Sequence, residues 1–391
     1  MSDSGFDPAT IERRIRSFES FGIHRTGWPG DDGAGRWLVD ELEAAGAPAS
    51  LERFDFPRIE HRTARLSWPD GKTTGIPMYD GGTTPPGGLD GQLGSAGDDD
   101  LFGRIVVATR DDAGFGGPEI YDRLDELQAA GAVALLMVAG DEHGDVIVRN
   151  AERIDRPHQL PVLQLAPNDV SNLMPDVLVG AEALVEIESE RLTSAATNVV
   201  ATLPGDEPDA APVVVMTPRS GWFTCAAERG GGLAIWLAIA EALAAAPHRR
   251  TVELVASSGH EMHHYGLLDY LRAHASLTAP DGAVAWLHLG ASIGAKRAMP
   301  RLAASDQELL AIATRAIDDA GADPRDAMPA GSPGGGEARE IHAFGGRYVS
   351  FLGGHPLFHS PNDTTDNAVD PESVARYARA AMTVTEAMLA L

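Results

Sequence analysis

Between Ala211 and Tyr270 the chain packs a strand, a polar turn, a helix, a second strand and a cluster of His and Glu side chains into sixty residues. APVVVM is apolar, rich in β-branched residues and bounded by Pro212 and Pro218, which predicts a short strand buried on both faces. PRSGWFTCAAERGGG reads as a turn. LAIWLAIAEALAAA, from Leu233 to Ala246, is made of strong helix formers and is apolar almost all round, so this helix is expected inside the protein. TVELVASS is the next strand, and GHEMHHYG at its end sets His260, Glu261, His263 and His264 within five residues. In open α/β sheets that carboxyl edge is where ligands bind.

A chain of 391 residues can build two or three domains and a large core. Its formal charge of −26 is spread along the sequence and argues against nucleic acid and anionic membrane as partners. The single cysteine, Cys225, excludes an intrachain disulfide and a thiolate-rich metal site. With no apolar run of eighteen charge-free residues and no apolar stretch after a basic start, the expectation is a soluble, cytoplasmic protein.

In chain order, helices are expected over Pro8–Phe21 and Gly33–Ala45, with HRTGWPGDDG as a glycine-rich loop between them. LERFDFPR and ARLSWPD read as two strands, and Thr73–Asp100, rich in Gly, Pro and Asp, as a boundary or long loop. GRIVVATR, EIYDRLDELQAAG, AVALLMVAG and LPVLQLAP then read as strand, helix, strand and strand, a small α/β unit of its own. Beyond Tyr270, AVAWLHLGASIG and RYVSFLGG read as strands, SDQELLAIATRAIDDAG as a helix, and HPLFHSPNDTTD as a second polar cluster before an amphipathic terminal helix from Pro371. The expected architecture is a discontinuous α/β domain over residues 1–60 and 195–391, interrupted by an inserted unit over 61–194.

Two chemistries fit the spacing. His260, Glu261 and His264 spell H-E-x-x-H, which on a continuous helix binds zinc through its two histidines. Here Gly259 precedes it and Gly266 follows, leaving at most one helical turn. Alternatively, donors at several strand ends, with Glu228, Glu261 and His359 best placed, hold a metal through carboxylate and imidazole. Each of these residues alone has a plainer reading as a cap or a hydrogen-bonded loop residue.

NVVATLPG, VVVM, a turn with GGGLA opening a helix, VELVASSGHE and HSPNDT follow one another in an order that resembles the zinc aminopeptidase and glutaminyl cyclase family across nearly the full chain. The insert resembles the protease-associated domain that many such enzymes carry. The resemblance implies an aminopeptidase-like three-layer domain with a central mixed, mostly parallel sheet. It also implies two zinc ions, yet two ligand positions fall on Pro218 and Gly290, which cannot ligate. The bridging aspartate falls on Glu228, the general base and its neighbouring ligand on His260 and Glu261, and the late histidine on His359. Glu228, Glu261 and His359 are the three that the single-zinc cyclases would use.

The resemblance therefore implies one divalent ion, zinc by donor type, held by Glu228, Glu261 and His359, with His260 as acid/base. An imidazole with an ordinary pKa of about 6.5 accepts a proton at neutral pH. His263, His264, His288 and His355 are further candidates, and Asp363 a loop-ordering or ligand-supporting one. Arg219 and Arg229, with Trp222 between them, are expected to meet an anionic group on the substrate, or else to neutralise the local acids. The expected activity is hydrolysis of an amide or peptide-like bond in a small molecule or short peptide. A cyclase- or lyase-like enzyme and an inactive binding or scaffold protein are the alternatives, and a homo-oligomer is compatible with all of them.

Overall fold

A computed structural model describes residues 3–109, 119–323 and 326–391. Arg110, the last residue of the expected strand GRIVVATR, lies outside them. The chain divides into two compact units, one formed by residues 1–55, 195–358 and 362–391, the other by residues 56–194 and 359–361.

In the first unit four strands run parallel in the order Tyr348–Leu352, Trp286–Leu289, Val213–Pro218 and Val252–Ser257. Antiparallel neighbours close them off, Arg301–Ala304 on one side and the last residues of Glu182–Leu203 on the other. The near-continuous apolar strand runs follow from burial on both faces. Along Val213–Pro218 alternate residues enter two cores. Val213 and Val215 pack with the helices Pro8–Glu19, Gly231–Ala244 and Pro371–Ala390, whereas Val214 and Met216 pack with Leu267, Tyr270, Trp286 and Ile341 on the opposite face. Helices on both faces of a mostly parallel sheet make this a three-layer α/β domain. Because the four central strands are parallel, the loops that leave Pro218, Ser257, Leu289 and Leu352 all emerge at one edge.

Some expectations shift. The second helix spans Pro29–Ala44 and takes in part of the expected loop, because Pro29 sits at the first helical position, where its missing N–H costs nothing. LERFDFPR and ARLSWPD are one strand, Ala49–Trp68. The stretch read as a boundary loop carries the strands Ile76–Pro77 and Leu89–Ser95.

In the second unit Leu89–Ser95, Arg104–Thr109, Ala134–Val138 and Val162–Leu165 run parallel, with the first part of Glu182–Leu203 antiparallel at one side. Glu119–Ala129 and Met174–Val179 supply its helices. His359–Pro361 belongs to this unit: the His359 carbonyl accepts from Val148 N–H at 3.1 Å, and the Ser360 hydroxyl donates to Asp141. No helix among the described residues is long and apolar enough to cross a membrane.

Candidate functional site

The turn after Pro218 is packed with charge. Arg219 is fully buried and paired with Asp31 of the second helix, donating to its carboxylate and, at 2.8 Å, to its carbonyl; its other terminal nitrogen donates to the Thr197 carbonyl. Asp31 also accepts from Gly27 N–H at 3.0 Å and the Ser258 hydroxyl at 2.8 Å. These bonds correct the assignment of Arg219 to substrate, since its fork already ties three segments together. Arg229 is equally buried; its Nε donates to the Ser220 carbonyl at 2.8 Å, and Nη2 lies 2.6 Å from Glu228 Oε1. This is the neutralising role that the sequence left open. Trp222 is fully buried, with the Arg25 guanidinium 5.2 Å from its ring.

Ser257 ends the next strand, and Gly259 (φ 84°) opens a tight turn. His260 to His264 is not helical. His263 (φ 60°) and His264 (φ 55°) both adopt left-handed backbone, and the helix starts only at Tyr265. The helical H-E-x-x-H reading is therefore wrong in its geometry. Glu261 faces elsewhere: Oε1 accepts from Thr26 N–H at 2.6 Å and Oε2 from the Ser220 hydroxyl at 2.8 Å. Consecutive left-handed residues other than glycine cost energy and concentrate at functional sites.

The turn nevertheless brings His260 and His264 together, their ring centroids 4.9 Å apart. Beside them stands Glu337, which no spacing rule singled out. One ligand atom from each of His260, His264 and Glu337 lies within 4.8 Å of the other two, the one such group of His, Cys, Asp and Glu among the described residues. Glu337 Oε1 is 2.6 Å from His260 Nδ1, and its Oε2 is 3.5 Å from His288 Nε2. The outer nitrogens are anchored too: His264 Nδ1 bonds Glu340 at 3.0 Å, and His288 Nδ1 bonds the Ser350 hydroxyl at 2.8 Å across adjacent strands. A carboxylate on the second nitrogen of a ring is the usual way to fix a liganding histidine. Burial, aided by the Arg229 charge, pulls the His260 imidazole down to about 4, so it is neutral at physiological pH. Burial alone would raise the Glu337 carboxyl, but His260 and His264 outweigh it and hold the group well below the usual range. Two imidazoles and a carboxylate form a donor set suited to zinc with a position left open.

Of the remaining expected residues, His263 is half-buried and stacks on His264 at 6.2 Å. His355 and Asp363 are buried, and Asp363 accepts from Ala227 N–H at 2.8 Å and Glu228 N–H at 2.9 Å, which orders the turn carrying Glu228. His359 lies in the other unit and has left-handed backbone (φ 61°). Burial pushes the Cys225 thiol well above its ordinary pKa, which removes it as a nucleophile.

Among solved structures, the zinc aminopeptidase BSAP from Bacillus subtilis superposes with a TM-score of 0.79 at 16% identity, over 97% of this chain and 94% of that chain. The peptidase M28 precursor from Shewanella amazonensis SB2B gives 0.74 at 18%, over 99% and 97%. This chain has the fold of the zinc aminopeptidases. A glutaminyl cyclase from Fimbriiglobus ruber matches more loosely, at 0.52 and 11% identity over 97% and 95%. No family model matches the sequence, and no curated protein matches it.

The two-zinc site that this fold implies does not fit the residues present. Pro218 offers no donor, Glu228 is ion-paired with Arg229, and both oxygens of Glu261 accept hydrogen bonds. At Gly290 even a Cβ would lie 2.8 Å from His288 Cε1 and 2.9 Å from Leu352 Cβ, so an aspartate has no room there. The imidazole–carboxylate group around Glu337 is where a metal does fit.

Proposed function

We propose that this protein is a metal-dependent hydrolase of an amide or peptide-like bond in a small molecule or short peptide, with a single divalent ion, zinc by donor type, held by His260, His264 and Glu337. The observation that carries this reading is the convergence of those three donors at the ligand-binding edge of the sheet. The fold agrees with it.

Bound there, the ion would polarise a carbonyl and bring the pKa of its water to about 7. The chain's own residues do the rest. Glu340 holds His264 by Nδ1 and thereby leaves Nε2 as its donor. Ser350 fixes the tilt of the His288 ring, whose Nε2 stands against Glu337 and steadies the carboxylate. The Ser220 hydroxyl accepts from His260 N–H at 3.0 Å while donating to Glu261, and so pins the turn that presents both histidines.

Elemental analysis of the full chain tests the assignment, alongside a screen of amides and amino-acid conjugates. Wild type should hold about one equivalent of zinc, and His264→Ala and Glu337→Gln should each lose it together with amide hydrolysis. Absence of metal after reconstitution, or metal retained by both variants, would remove the assignment.

A further inference from the structure

The second unit holds a cavity of its own, open to solvent and about 260 Å³ in volume. A single water needs roughly 10–15 Å³ on the same measure, so the space is that of a small organic molecule. Three parts of the unit meet around it. The strands Ala49–Trp68 and Glu182–Leu203 pair with each other and bring His61, Ser189 and Arg191 to the cavity. The turn 78–83 and the loop 157–159 supply most of the rest.

Both of these segments are held before any ligand arrives. Gly82 N–H donates to the Leu160 carbonyl at 2.9 Å, and His158 N–H to the Asp80 carbonyl at 2.8 Å. A Cβ on Gly82 would stand 1.9 Å from the Gln159 carbonyl oxygen, so only glycine lets the two segments approach this closely. A wall fixed in advance spares a ligand the entropy of ordering it.

The charge of this cavity is unlike that of the molecule. The chain carries 57 acidic residues against 31 lysines and arginines, yet no aspartate or glutamate lines it. Arg191 does. Its terminal nitrogens donate to the carbonyls of Ile154 at 3.1 Å and Tyr79 at 3.2 Å, which engages two of its five N–H groups. Among the described residues no carboxylate is ion-paired with it; Asp80 and Asp155 favour its charge only from a distance, and burial outweighs them, pulling its pKa below the usual arginine value. Asp80 is already satisfied by the Tyr121 hydroxyl and by the N–H groups of Glu152 at 2.8 Å and Arg153 at 2.7 Å. Beside Arg191, His61 Nδ1 is 2.7 Å from the Ser189 hydroxyl, and Ile59, Pro77 and Met78 add apolar surface.

We infer that this cavity binds a small monocarboxylate with an apolar body, its carboxylate forked by Arg191 and its apolar part set against Ile59, Pro77 and Met78. Guanidinium and carboxylate match in geometry, and their charge-assisted bonds are stronger than those between neutral groups. Because no acid lines the cavity, a free ammonium group finds no partner there. An N-acylated amino acid therefore fits where the zwitterion does not. Binding uses none of the proposed metal donors, all of which belong to the other unit.

The test is isothermal titration calorimetry of the full chain with N-acetyl-L-leucine, beside its uncharged amide, N-acetyl-L-leucinamide, and L-leucine itself. Saturable binding of one N-acetyl-L-leucine per chain is expected, with the amide and the free amino acid each weaker by at least about tenfold. Arg191→Gln should weaken it by about ten- to a hundredfold, with a thermal midpoint confirming that the variant folds, whereas His264→Ala should bind as the wild type does. Hydrogen exchange in the wild type locates the ligand without any variant: the amides of 79–83 and 157–160 should slow on saturation. No saturable binding, an amide that binds as tightly as the acid, or full affinity in Arg191→Gln overturns the site. So does affinity lost in His264→Ala, or protection confined to the His260 turn. Because the metal reading is tested by zinc content and amide hydrolysis, the two proposals fail separately.

Discussion

Replacing Arg219 by Met keeps an unbranched side chain of similar length in the same buried slot but withdraws the charge opposite Asp31. Burial already pushes the Asp31 carboxyl up to about 6, against the pull of Arg219 and the hydrogen bonds from Gly27 and Ser258. In the wild type the folded state therefore keeps a proton that the unfolded chain releases near the ordinary aspartate value of 3.8. The stability this group contributes is complete below that value. It falls as pH rises to about 6, by about 3 kcal/mol, and stays level above. Without Arg219 less opposes burial, and the neighbouring Glu261 charge acts in the same direction, so the folded pKa climbs further. The loss then continues above pH 6 at about 1.4 kcal/mol per pH unit. At pH 8 the variant should trail the wild type by about 3 kcal/mol on this account, plus about 1 kcal/mol for the abandoned Thr197 carbonyl. Near pH 5 the difference should shrink to the second part. Urea unfolding followed by tryptophan fluorescence between pH 5 and 8 reports it, since five of the six tryptophans lie in the unit that contains the pair. A deficit that is flat with pH, or one that widens on acidification, would refute the linkage. Unchanged stability with a raised KM would return Arg219 to the substrate.

Two further outcomes follow from packing. Gly290→Asp, which restores the ligand type that the zinc enzymes' resemblance calls for, should lower the unfolding midpoint by the equivalent of about 1–3 kcal/mol through overpacking against His288 and Leu352; a gain of a second metal equivalent would count against this reading. Cys225, fully enclosed and with its thiol pKa raised, should resist a disulfide exchange reagent in the native protein and react once on denaturation; rapid native reaction would show that the turn opens.

The parts of the fold that could be read from sequence are those whose residues are decided locally. APVVVM and TVELVASS are continuous apolar runs because their strands are covered on both faces, and the helix between them is apolar all round because it is buried. LDGQLGS has no such signature; it is a strand only because Glu182–Leu203 and Arg104–Thr109 flank it with open hydrogen-bonding edges. The same division runs through the site. His260 and His264 stand at a helical spacing, yet they meet through a turn with two left-handed residues, a conformation too rare in any residue but glycine for the sequence to announce. Glu337 completes their group from more than seventy residues downstream, set by Gly336 at φ 56° and the short helix Ala338–Ala343, so no spacing within one element could reveal it.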